Sequence, residues 1–258
     1  MKKIIKKFLP LLLFFASFGL VQADSNALEN KYPKAIAFIK QELTQYGINP
    51  EEIQIESYCE WQVYRTELVR GKHCLRVPEW GHLSLSMLEG ILMKNELEWL
   101  LPAYQWVIGH EANHIRLDHT TKAALLHPFG QVTHKDSKDC PLLTYAGIYS
   151  AVSTIGVERT RKLCDQYYES NPLICSYRRT LEQEADDNVR NDLAVLKGGI
   201  EYLSFYKDVL DSRKSSHGLF DRIKQYIQPL FDTHPTFDAR IAKIQARIKA
   251  LEATQQKA

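Results

Sequence analysis

The stretch LPAYQWVIGHEANHIRLD, residues 101–118, decides how the rest of the chain is read. Its apolar residues recur at helical spacing, and His110-Glu111-Ala112-Asn113-His114 within it matches HExxH. Four residues of separation place the two imidazoles on one helix face, one turn apart, where both can reach a single metal ion at about 2.0–2.1 Å. Glu111 sits beside them, where a carboxylate can take a proton from water. The pattern predicts one long helix from Asn95 to about Asp118, kinked or split at Pro102.

A catalytic zinc needs a third protein ligand and an open position. A histidine six residues beyond His114 would supply the ligand, but that position is Thr120, and Leu117 stands where such a site needs glycine. The other source is a glutamate on a later helix with an acid one turn further on. Glu182-Gln183-Glu184-Ala185-Asp186 has that arrangement, with Glu182 as ligand and Asp186 accepting a hydrogen bond from the non-ligating nitrogen of a ligand histidine. The expected cofactor is one Zn2+ per chain, on His110, His114 and Glu182.

Outward from this centre the periodicity is mostly helical. Pro33 to Tyr46 carries Ile36, Ile39, Leu43 and Tyr46 on one face and meets Gly47 as its stop. Strand patterns occupy Ile53 to Ile55, Trp61 to Val69 and Cys74 to Val77, and His82 to Ser86 alternates as one more strand. Residues 127–141 read as a loop, and helices are expected over 142–156, 176–195, 198–211 and 238–253. The fold expected is mainly α with a small antiparallel β-sheet. Residues 24–79 form a helix and a β-rich segment, and residues 80–258 a metallopeptidase-like domain with an insertion at about 120–179.

The first 23 residues carry Lys2, Lys3, Lys6 and Lys7, then an apolar stretch from Phe8 to Val21 that ends Val21-Gln22-Ala23. That is the pattern of a secretory signal peptide cleaved after Ala23, with an uncleaved anchor as the alternative, and it implies a periplasmic or secreted protein. Its removal leaves 29 basic against 31 acidic residues, so nothing favours a nucleic-acid partner. Five cysteines in an exported chain suggest disulfides, with Cys59–Cys74 and Cys164–Cys175 the local pairings and Cys140 left over.

HEANH, EQEAD and a late Thr233-His234-Pro235 followed by Arg240-Ile241 stand in the order found in one family. The chain resembles the gluzincin peptidases that include the CAAX prenyl protease, the heat-shock protease HtpX, the mitochondrial Oma protease and periplasmic proteases of outer-membrane quality control. The resemblance covers roughly residues 80–252, with 120–179 lacking a counterpart. It implies a zincin-like fold, His110, His114 and Glu182 as metal ligands, Glu111 as general base, and Asp186 as support for a ligand. His82 to Ser86 resembles the family's edge strand, which would bind a protein or peptide substrate in extended form.

His234 belongs to the late motif, and two roles stand open for it. It can donate a hydrogen bond to the oxyanion of the reaction, or close the metal's open position and keep the protein latent. Arg240 is expected to pair with an acidic residue near the site. Asn113 departs from the small or apolar residue usual there and needs polar partners if it is packed. It motivates the alternative reading, a catalytically silent chaperone or scaffold, against which stands the retention of Glu111. Possible partners beyond substrate are outer-membrane or periplasmic proteins.

Overall fold

The computed structural model describes residues 25–58, 64–69, 71–79, 83–126, 151, 154, 157–213 and 234–256. The expected signal peptide, the loop at 127–141 and almost all of the helix at 142–156 lie outside them, as do Cys59, Cys140 and His82. The described chain is mainly helical. Its helices are α1 (Ser25–Lys31), α2 (Pro33–Gln45), α3 (Leu85–Lys94), α4 (Leu101–Arg116), α5 (His119–Leu126), α6 (Val157–Ser170), α7 (Pro172–Asp187), α8 (Leu193–Arg213) and α9 (Phe237–Gln255). No helix among the described residues is long and apolar enough to cross a membrane.

The sheet is mixed, which corrects the antiparallel expectation. Strands β1 (Gln54–Tyr58), β2 (Arg65–Val69) and β3 (Lys72–Pro78) lie in the order β1-β3-β2, with β2 and β3 antiparallel but β1 parallel to β3. Alternation marks a strand without naming its neighbour. Here β3 is the strand with most to hide, since Cys74, Leu75 and Val77 are fully buried, and it takes the centre.

Residues 83–86 are not a strand. Ser84 instead caps α3, its Oγ accepting from the Met87 N–H at 3.3 Å. Leu85, Leu88 and Ile91 are buried along one face, so helical spacing wins over the short alternation. Asn95 and Leu97 then take positive φ angles of 54° and 58° and reverse the chain. Pro102 falls in the first turn of α4, where its missing N–H costs nothing, so it neither kinks nor splits a helix: the helix expected from Asn95 begins only at Leu101, after a 3-10 turn over Glu98–Leu100, and runs unbroken to Arg116.

Helix α4 runs through the middle of the core with Ala103, Tyr104, Trp106, Val107, Ile108 and Ala112 buried. Helix α8 lies along it at backbone contact. A Cβ at Gly198 would sit 2.4 Å from the Pro102 carbonyl carbon, and one at Gly199 would sit 2.4 Å from the Trp106 ring. Helix α9 closes over α8 with Ile244 and Ile248 in the same core. Besides α3, three helices begin on side-chain caps that satisfy otherwise unpaired N–H groups: Asn171 for α7, Asp192 for α8 and Thr236 for α9.

The expected Cys164–Cys175 disulfide is not formed. Cys175 is buried on α7 with its Sγ donating to the Glu169 carbonyl oxygen at 3.4 Å, while Cys164 carries a thiol on α6. Cys74 is also a thiol, and its burial in the central strand pushes it up to about 12. It fills the position as a small apolar side chain.

Candidate metal centre

Helix α4 presents His110 and His114 from consecutive turns, and α7 crosses it to deliver Glu182. Potential ligand atoms of the three lie within 4.8 Å of one another, so this group can hold a metal ion. The two Nε2 atoms are 3.1 Å apart, and Glu182 faces both, with Oε2 at 3.3 Å from His110 and Oε1 at 3.5 Å from His114. All three side chains are largely shielded from water, which strengthens any charge interaction among them.

Asp186, one turn beyond Glu182, lies where the spacing predicts. Its Oδ1 is 2.8 Å from His110 Nδ1. Arg240, from α9, then grips Asp186 with a forked pair of hydrogen bonds, Nε to Oδ2 and Nη2 to Oδ1, both at 2.7 Å. Its guanidinium lies 5.5 Å from the centroid of Trp106, and Trp106 in turn stacks on His110 at 5.6 Å with the rings 19° from parallel. His110 is thus fixed at its edge by a carboxylate and across its face by an indole. Arg247 reaches the same helix end, donating to the carbonyl oxygens of Asp186 and Val189.

Electrostatics separate the two imidazoles. Burial opposes a charge on His110, but its contacts with Asp186 and Glu182 outweigh that and push it up to about 10. Burial and the neighbouring charge of His110 push His114 down to about 3. Burial likewise opposes ionisation of Glu182, yet the surrounding histidines hold its carboxyl well below the usual range.

Glu111 is buried beside the group but is no member of it. Burial pushes its carboxyl up to about 7, and the Thr66 hydroxyl donates to Oε2 at 2.8 Å. Thr66 comes from β2, the sheet edge nearest α4. Comparisons with protein-family models, with characterised proteins and with solved structures give no match.

His234 lies at the rim, with Nε2 at 3.6 Å from Glu182 Oε2 and its side chain about half exposed. Asn113 is fully buried and has the polar partners its position needs. Its Nδ2 donates to the Ala185 carbonyl oxygen at 3.2 Å, and its Oδ1 accepts from Arg116 Nε and Nη2. The side chain therefore stitches α4 to α7 beside the group that can hold a metal ion.

Two contributors were missed from sequence, Thr66 and His119. Thr66 sits on a distant strand and gave no local signal. His119 is buried, with Nδ1 at 3.1 Å from His114 Nδ1 and Nε2 at 3.2 Å from Glu184 Oε2. Its offset of five from His114 is no helix-face spacing, so only the end of α4 at Arg116 could have drawn attention to it. His73 contacts Thr120 and lies outside the group.

Proposed function

We propose that the chain is a zinc-dependent endopeptidase of the zincin type that cuts unfolded or damaged proteins in the periplasm or outside the cell. The observation that carries this reading is the convergence of His110, His114 and Glu182 beside a buried carboxylate, Glu111, that the metal-binding group does not use. Two imidazoles and a carboxylate are a donor set that suits zinc, and the contact of His110 Nδ1 with Asp186 leaves Nε2 free to ligate. Zinc bound there supplies Lewis acidity for a carbonyl and makes water more acidic.

The protein's own share is the handling of the proton. Glu111, poised near pH 7 by burial, takes the proton of the attacking water and passes it to the departing amine nitrogen. Thr66 holds one of its oxygens, which limits rotation of the carboxyl and leaves the other oxygen to take the proton. Asp186 and Arg240 keep His110 in one tautomer and one ring position. His234 at the rim is placed either to stabilise developing negative charge or to hold the resting protein latent.

Extended binding is supported by β2. Among the described residues it pairs on one side only, and Thr66 ties it to the base, so its outer edge can receive a peptide through main-chain hydrogen bonds. A folded substrate cannot offer such a strand without opening. Export of the chain, and any outer-membrane or periplasmic partner, rests on the leader-like first 23 residues. The test is to incubate the zinc-loaded chain with one protein in unfolded and in folded form. The unfolded form should be cut, a chelator should stop cleavage and zinc should restore it. Absence of cleavage of both forms overturns the proposal.

A further inference from the structure

Each candidate ligand histidine has a second ring nitrogen that must go somewhere. For His110 it meets Asp186, which Arg240 holds. For His114 it meets another imidazole. We infer that His119, anchored by Glu184, is a positioning residue that fixes the tautomer and ring orientation of His114. This rests on the metal-centre reading above.

The proton count allows one arrangement. A neutral imidazole has one donor and one acceptor nitrogen, so two Nδ1 atoms 3.1 Å apart need a single proton between them. The Nε2 of His114 points into the metal-ligating group, so its lone pair is reserved for the ion and its proton belongs on Nδ1. His119 Nδ1 must then accept. The proton of His119 accordingly sits on Nε2, which donates to Glu184 Oε2 at 3.2 Å. Two protons fill two hydrogen bonds, and the one ring nitrogen of the pair left over is His114 Nε2, which faces the metal-binding group.

The backbone is shaped to make this contact. Asp118 takes a positive φ of 54°, uncommon for a residue with a side chain, between the end of α4 and the start of α5. That turn folds His119 back onto the helix it has just left, so that its ring meets His114 edge-on at 5.0 Å between centroids and 75° between planes. The side chain of His119 is 1% exposed, while that of Glu184 is 44% exposed. Glu182, Glu184 and Asp186 are all on α7, so one helix supplies a ligand and anchors both ligand histidines.

The test is the zinc affinity of the full chain, measured by competition with a chromophoric chelator, together with the visible spectrum of the cobalt-substituted protein. His119→Leu keeps the bulk but offers no acceptor, and zinc should bind about 10–100-fold more weakly with a changed cobalt spectrum. His119→Asn places an oxygen near the position of Nδ1 and should restore most of the affinity. Glu184→Gln, at a partly exposed site, should fold normally and weaken binding by a smaller factor. Wild-type affinity in both His119→Leu and Glu184→Gln overturns the inference while leaving the metal centre intact. Equal loss in His119→Asn and His119→Leu also overturns it, since only packing would then matter. A wild-type chain that takes up no metal removes the metal-centre reading itself.

Discussion

Arg240→Leu removes the cation that holds Asp186 and leaves the rest of the site in place. Arg240 is 7% exposed, and its guanidinium bonds both carboxylate oxygens at 2.7 Å. For charges about 4 Å apart at an effective dielectric constant near 20, the attraction is about 4 kcal/mol. Removing one partner of a buried pair costs about 3–5 kcal/mol, because the remaining charge stays desolvated. Asp186 keeps His110 as a partner, so the lower end of that range is expected. Urea denaturation of the metal-free protein at pH 7 measures it as a shift in midpoint at constant slope. Combining Arg240→Leu with Asp186→Asn should cost less than the sum of the two single changes. A loss below about 1 kcal/mol, the value of an exposed pair, or strict additivity of the two changes would show that Arg240 and Asp186 are not coupled as a buried ion pair.

Three further outcomes are expected. The carboxyl of Glu111 is raised by burial from 4.5 to about 7, so the folded state holds its proton more tightly than the unfolded state does. That contribution is complete below the unfolded value and is lost as pH rises through the folded one. Metal-free wild type should therefore lose about 3 kcal/mol between these pH values relative to Glu111→Gln, and parallel stability curves would contradict this. Gly198→Ala should lower the melting temperature, at a cost of about 1–3 kcal/mol, because its Cβ meets the Pro102 backbone, and an unchanged melting temperature would place α8 farther from α4. His234→Ala should keep zinc and change turnover, downward if the imidazole stabilises negative charge and upward if it holds the protein latent; unchanged kinetics would leave His234 without a role.

What was legible in the sequence was what local spacing encodes. The HExxH helix, the later acid helix, and the Asp186 contact all follow from i to i+4 geometry, and the structure brings those residues together. Arg240 was expected to meet an acid near the site, and it meets Asp186. Neighbour choice was less legible. The order of the three strands depends on burial of β3 against the helices, and the residues at 83–86 satisfy two periodicities of which helix packing chose one. Thr66 and His119 reach the site through a strand edge and a positive-φ turn, and neither leaves a periodic trace. The proposed Cys164–Cys175 pairing relied on closeness in sequence, whereas the Cys175 thiol turns toward the Glu169 carbonyl oxygen.

In the proposed hydrolytic site the metal-binding group and the base are separate parts. The measurement is zinc content per chain and rate of peptide hydrolysis in the same samples of wild type, Glu111→Gln and Glu182→Ala. Glu111→Gln should retain about one zinc per chain and lose hydrolysis, whereas Glu182→Ala should lose both, since a site of three ligands cannot spare one. Hydrolysis by Glu111→Gln at the wild-type rate, or full zinc content in Glu182→Ala, would contradict the account.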